Sequence, residues 1–312
     1  MYLDRDQESL NSILLNLDEM NQLPSQVAAH LFLSPNDYGV VRNYGRPGAR
    51  FAPQSVLQQL KILNKIDSNP ITYQSACDFN YNFLKNNDEY FNSIQNEEFL
   101  IMKEGLKKIN SSHFIQIGGG HDHIYPFLKA IQSTFDLSKT PLIILNLDAH
   151  LDTRQDSSFH SGTPFRQFDH ELQSNESVSL VQFGIHLANN SISTRKELTN
   201  IHQEILYFNE NRNLSPEKLI SLAFETRKES SNNCLFLLSV DCDAFGPEYF
   251  SGVSAVNGNG LDTDYFFQLI QVIKATKFHK RFTGFYEYNP LMDDLSSKGA
   301  RFLAQSIFTL GF

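Results

Sequence analysis

The chain lacks tryptophan, has only three cysteines among 312 residues, and carries no block of lysine or arginine. Each absence excludes something. Cys77, Cys234 and Cys242 are scattered, odd in number and without C-x-x-C spacing, which argues against a zinc knuckle or a disulfide framework. A formal net charge of −9 with no basic cluster leaves no electrostatic footprint for nucleic acid or an anionic membrane. No apolar run approaches the roughly 20 residues needed to span a bilayer. The opening MYLDRDQESLNS is acidic and polar where a signal peptide needs a basic start and an apolar stretch. The expected compartment is therefore reducing and cytoplasmic. There is also no Pro-, Gly- or Ser-rich linker and no fixed-period repeat, so residues 1–312 read as one domain.

What is present is a globular composition, 41% hydrophobic with 26 phenylalanines, enough for a substantial core. Short runs rich in Ile, Leu, Val and Phe predict buried strands near residue 30 (AAHLFL) and over 113–118, 141–148, 179–186, 234–241 and 281–289. Amphipathic segments predict helices over 123–135, 215–229 and 263–276, with start signals at Ser215-Pro216 and Thr263-Asp264. Alternating strand and helix argues for an α/β fold, a parallel sheet with helices on both faces. The charged segment 83–99 reads as a solvated helix or loop with no part in function.

In such sheets ligands bind beyond the carboxyl ends of the strands, and four of these ends are polar. IGGGHDH brings His121, LNLDAHLDTR brings Asp148, His150 and Asp152, SVDCDAF brings Asp241 and Asp243, and GFYEYNP brings Glu287. Residues two apart in an extended segment share a side, so Asp148 pairs with His150 and Asp241 with Asp243, each pair able to grip one ion. Four aspartates at one sheet edge repel one another unless cations neutralise them, and their summed charge matches two divalent ions. Carboxylates with imidazole and no thiolate favour a hard ion such as Mn²⁺, and a binuclear site activates water for hydrolysis. The bland alternatives are that the triple glycine is only a strand-to-helix turn and that Asp148 and Asp241 cap helices. The glycines lack the G-x-G-x-x-G spacing of a dinucleotide site.

With these residues in place, the chain resembles the ureohydrolase family of arginase, agmatinase and formimidoylglutamase. The resemblance runs through GRPGARFAP, GGGHD, NLDAHLDTR, SGTPF, SVDCDAF and EYNP in family order. It implies a three-layer αβα arginase-like fold with a mostly parallel sheet of about eight strands. It also implies two Mn²⁺ ions, His121 and Asp152 on one, His150 and Asp243 on the other, Asp148 and Asp241 bridging. Cys242, between two ligands, would face the other way and pack. Catalysis would rest on Glu287, Asp148 and His150, and a homo-oligomer, trimer or hexamer, is expected.

SGTPFRQ, GVVRNYGRPGA and FGIHLANN look most like formimidoylglutamase. That implies hydrolysis of the amidine C–N bond of N-formimidoyl-L-glutamate to glutamate and formamide, in histidine catabolism, by hydroxide held between the metals. Glu287 would hold the cationic amidine, and Arg42, Arg46, Arg154 or Arg166, with Asn43, Ser161 and Asn189 nearby, would clamp the substrate carboxylates. Two features depart from arginase: Ser161 stands where a histidine precedes the GTP-like turn, with His160 one position early, and AFGPEYF replaces the usual Asp-Pro. The proton donor is left among His160, His186 and a metal-bound water. The rival readings are a ureohydrolase acting on a guanidino substrate such as agmatine, guanidinobutyrate or arginine, a metal-free scaffold, and a one-metal zinc deacetylase.

Overall fold

A computed structural model describes residues 5–66, 68–78, 87–225 and 231–311. Nine strands form one sheet: β1 (Leu14–Asn16), β2 (Ala29–Leu33), β3 (Ile71–Ser75), β4 (His113–Ile117), β5 (Leu142–Leu147), β6 (Val178–Ile185), β7 (His202–Tyr207), β8 (Leu235–Asp241) and β9 (Lys280–Tyr286). Their order is β1-β3-β2-β4-β9-β8-β5-β6-β7, and every pairing is parallel. All six expected strands are there. The three unexpected ones are β1, β3 and β7: two form the sheet edges and the third lies beside one of them.

The helices are α1 (Arg5–Glu8), α2 (Tyr38–Arg42), α3 (Ala52–Lys61), α4 (Asp88–Lys108), α5 (Ile124–Thr134), α6 (Pro164–Glu171), α7 (Phe208–Asn211), α8 (Pro216–Glu225), α9 (Thr263–Ala275) and α10 (Lys298–Gly311). Strand alternation divides the core into two. Ile143, Leu145 and Leu147 of β5, with Phe236, Leu238 and Val240 of β8, pack against α3, α8, α9 and α10. Leu142 and Ile144, with Leu235 and Leu237, pack against α4, α5 and α6. The result is helix, sheet, helix, three layers deep. Each fully buried Leu or Phe contributes about 1.5–3 kcal/mol, and β5 is buried at all six positions, so the strand that leads into Asp148 is anchored along its whole length.

Two expectations need adjusting. The cap of α9 is Asp262 rather than Thr263: its side chain accepts from the Tyr265 N–H at 2.5 Å, because the preceding aspartate already has extended backbone. The charged segment 83–99 is not simply a solvated face. From Asp88 on it is the first half of α4, whose Gln95 and Glu98 are buried, while residues 83–86 lie outside the described residues. Ser215 does cap α8 as expected, accepting from Lys218 N–H at 3.3 Å. No helix among the described residues is long and apolar enough to cross a membrane.

Candidate metal centre

The strands β4, β9, β8 and β5 are neighbours at the middle of the sheet, and their carboxyl ends deliver the polar motifs to one place. Tight backbone approach makes this possible. Gly184, in a bulge of β6 with φ 98°, lies where a Cβ would sit 3.1 Å from the Asp148 carbonyl. Gly119 runs so close to Asn36 that a Cβ would overlap its carbonyl oxygen.

His121 occupies the centre. Its Nδ1 lies 2.9 Å from Asp152 Oδ2, 3.1 Å from Asp148 Oδ2 and 3.3 Å from Asp241 Oδ2. His150 Nδ1 lies 2.9 Å from Asp243 Oδ2 and 3.7 Å from Asp148 Oδ1. Two groups of potential ligand atoms result, His121–Asp148–Asp152–Asp241 and Asp148–His150–Asp243, with every atom in a group within 4.8 Å of the others. Asp148 belongs to both. Asp241 falls in the first group by this distance. β8 ends at Asp241, and residues Cys242–Ala244 turn into a 3-10 helix that sets Asp243 beside His150. Cys242 does face away, into the core beside Val240 and Ala244.

The capping alternative holds in part, and it serves the site. Asp241 Oδ1 accepts from the Asp243 N–H at 2.9 Å, and Asp148 Oδ1 from the His150 N–H at 2.7 Å. Each bond ties one carboxylate oxygen to the backbone two residues on, which leaves Oδ2 aimed at His121.

Charge confirms how crowded this edge is. Burial alone would lower the His121 imidazole, but Asp148, Asp152 and Asp241 outweigh it and hold the ring well above its ordinary value. Burial, then Asp243 and Asp148, push the Asp241 carboxyl well up, while for Asp148 the two histidines override burial and lower it. His121 Nδ1, although surrounded by carboxylates, makes no hydrogen bond, and its Nε2 lies 2.9 Å from Ser239 Oγ. An imidazole held by one nitrogen, its other nitrogen bare among three carboxylate oxygens, is a donor set that fits a divalent cation.

Around this set are supports that the motif reading missed. Asn146 amide bonds reach Asp148 Oδ2 (3.3 Å) and Gln182 (2.9 Å), and Gln182 donates to the Leu151 carbonyl at 2.8 Å. Asn190 clamps the ligand loop: it accepts from Leu151 N–H at 2.9 Å and donates to Ala149 and His186 carbonyls. Asn189 is exposed and bonds Asn257. A signal for these supports exists in the sequence: Gln116, Asn146, Gln182 and Ser239 each interrupt an apolar, fully buried strand.

Glu287 follows β9 with φ 62°, and Asp152 has φ 50°, two of four non-glycine residues in the left-handed region among the described residues. Backbone held there costs about 1–3 kcal/mol and persists only where its surroundings fix it. Glu287 Oε1 accepts from His121 N–H at 3.0 Å. Burial, with Asp122, Asp152 and Asp243 and against that N–H, pushes its carboxyl up to about 8.

The arginines separate. Arg42 is bound to Asp88 and to the Phe159 carbonyl, with its guanidinium 4.9 Å from the Phe91 ring centroid. Arg46 is exposed and bonds Ser254. Arg166 is buried with three of its five N–H donors on the carbonyls of Thr153, Lys196 and Glu197, where it holds a loop. Arg154 differs: one NH donates to Asn43 Oδ1 at 2.7 Å, and Asn43 in turn donates to Ser161 Oγ at 3.1 Å. Arg154, Asn43 and His160 line a cavity of about 490 Å³ that Arg42 also borders.

A sequence profile of the Arginase family matches residues 29–311. The chain belongs to the arginase family. Formimidoylglutamase of Vibrio vulnificus strain YJ016 is 27% identical over 281 residues, covering 86% of this chain and 79% of that protein. Among solved structures, formimidoylglutamase of Bacillus subtilis superposes with a TM-score of 0.79 at 19% identity, over 100% of this chain and 93% of that one. Formiminoglutamase of Trypanosoma cruzi with Mn²⁺ gives 0.75 at 20% identity, over 97% and 98%. The arginase-like fold is that expected from the motifs, with nine strands instead of about eight, and membership carries with it the hydrolase class acting on amidine C–N bonds.

Proposed function

We propose that this chain, as one ureohydrolase domain over residues 1–312, is a formimidoylglutamase of histidine catabolism, cleaving N-formimidoyl-L-glutamate to glutamate and formamide with two Mn²⁺ ions. The observation that carries the metal reading is the bare Nδ1 of His121 amid three carboxylates, joined through Asp148 to His150 and Asp243. His121 and Asp152 would hold one ion and His150 and Asp243 the other, with Asp148 and Asp241 shared by the two sets. Bound there, the ions supply a nucleophilic water at neutral pH.

The remaining steps fall to the chain's own side chains. Glu287 binds the amidinium, and an arriving cation lowers its raised carboxyl back into the ionised form. Arg154, oriented by Asn43, presents its remaining guanidinium donors to a substrate carboxylate, with Ser161 completing the chain of contacts. The leaving nitrogen needs a proton. His160 has both ring nitrogens occupied, Nδ1 accepting from Gly162 N–H at 3.0 Å and Nε2 against Asp156 at 2.8 Å. His186 has a buried Nε2 without a partner, which favours it as the proton carrier. The relatives named formimidoylglutamase support the substrate. Cys77, Cys234 and Cys242 are buried outside any disulfide, in keeping with a reducing cytoplasm, and a homo-oligomer is part of the proposal, checked by light scattering.

The test is product release by Mn²⁺-loaded protein from N-formimidoyl-L-glutamate, arginine, agmatine and guanidinobutyrate side by side. Formamide and glutamate from the first alone are expected; urea from any of the others overturns the substrate and leaves the hydrolase.

A further inference from the structure

His123, two residues past His121, is buried, and both of its ring nitrogens face acceptors at 2.7 Å: Nδ1 meets Glu98 Oε2 and Nε2 meets the Asn36 carbonyl. A carboxylate and a carbonyl only accept, so the ring donates at both positions and is an imidazolium paired to Glu98. Glu98 has 0% exposure and comes from the middle of α4. Its other oxygen accepts from the Ser34 hydroxyl and from the Gln116 amide at 2.9 Å. Gln116 also donates to the His123 carbonyl at 3.0 Å and accepts from the Tyr286 hydroxyl at 2.6 Å. Tyr286 then stacks on the His121 imidazole, centroids 4.7 Å apart and planes at 21°.

The network therefore reaches His121 from two sides, through the backbone two residues on and through the ring stacked upon it. We propose that the Glu98–His123 ion pair is the positioning device for His121: it locks the GGGHDH turn against the Asn36 carbonyl and, through Gln116 and Tyr286, fixes the plane of the ligand ring. Glu98 and His123 touch no reacting atom. The inference rests on the reading of His121 as a metal ligand.

Cys77 lies close enough to form a three-donor group with Glu98 and His123. A third metal there would have to displace the His123 Nδ1 proton from a satisfied ion pair, whereas His121 Nδ1 has no hydrogen bond to lose.

The experiment is a stepwise Mn²⁺ titration, by calorimetry with metal counting, of wild type, Glu98→Gln and Tyr286→Phe. Tyr286→Phe removes only the hydroxyl link and guards against a Glu98→Gln protein that does not fold. Two ions per wild-type chain are expected, with one of the two binding steps weakened by about ten- to a hundredfold in Glu98→Gln and by less in Tyr286→Phe, the other step unmoved. A purely structural role would lower thermal stability and leave both steps alike. Unchanged steps in folded variants overturn the positioning role, as does a third ion lost on Cys77→Ala. A wild type binding no ion overturns the metal centre itself.

Discussion

His121 and His123 are two residues apart, both buried, both against carboxylates, and in opposite situations. His121 faces three carboxylate oxygens and has a nitrogen with no hydrogen bond. His123 faces one carboxylate and one carbonyl, and both nitrogens are used. Residue type does not separate these two sites; charge balance does. A balanced pair with both ring nitrogens bonded leaves no surplus charge for a cation to neutralise. A surplus of negative charge with a bare donor is a binding site, because a cation relieves repulsion that burial has amplified.

The comparison is broken most severely by removing the shared ligand. Asp148→Asn is expected to weaken both metal steps by more than the roughly hundredfold that loss of a supporting group causes, while Asp243→Asn weakens one; metal counting after gel filtration distinguishes them. The next effect is on substrate. Arg154→Ala removes charge-assisted hydrogen bonds worth about 1.5–3 kcal/mol, so KM for N-formimidoyl-L-glutamate rises about ten- to a hundredfold, whereas Arg166→Ala lowers Tm and leaves KM alone.

The smallest effect concerns a third kind of buried histidine. His30 and His113, beside Thr72 and Thr283, are lowered to about 3, both by burial and His113 also by Arg281. They stay neutral in the fold, while the unfolded chain takes up protons below about 6.5. Their stability contribution is present above that pH and is lost progressively as pH falls toward 3, by up to about 1.4 kcal/mol per pH unit for each. Urea midpoints measured between pH 7 and 4.5 should fall, and fall less steeply in His30→Leu.

The sequence reveals the ligands because each closes an apolar run that only a buried strand explains: β4 before His121, β5 before Asp148, β8 up to Asp241. It hides β7, whose HQEILY is mostly half-exposed at a sheet edge and alternates too weakly to stand out. The 3-10 turn after Asp241 is also hidden, since it depends on where β8 stops. Glu98 is the clearest loss. In NEEFL it looks like any charged position on an amphipathic helix, and only the packing of α4 against β4 and the turn after it shows that this carboxylate is inside. Choosing among four arginines is likewise impossible without knowing that the Arg166 guanidinium is engaged by three backbone carbonyls while that of Arg154 makes one bond, to Asn43.

The most direct test of the central claim is the Mn²⁺ content and spin coupling of the wild-type protein, by mass spectrometry and electron paramagnetic resonance. Two ions per chain with an exchange-coupled signal is the predicted result, since Asp148 reaches both groups. One ion per chain, or two uncoupled ions, would contradict it.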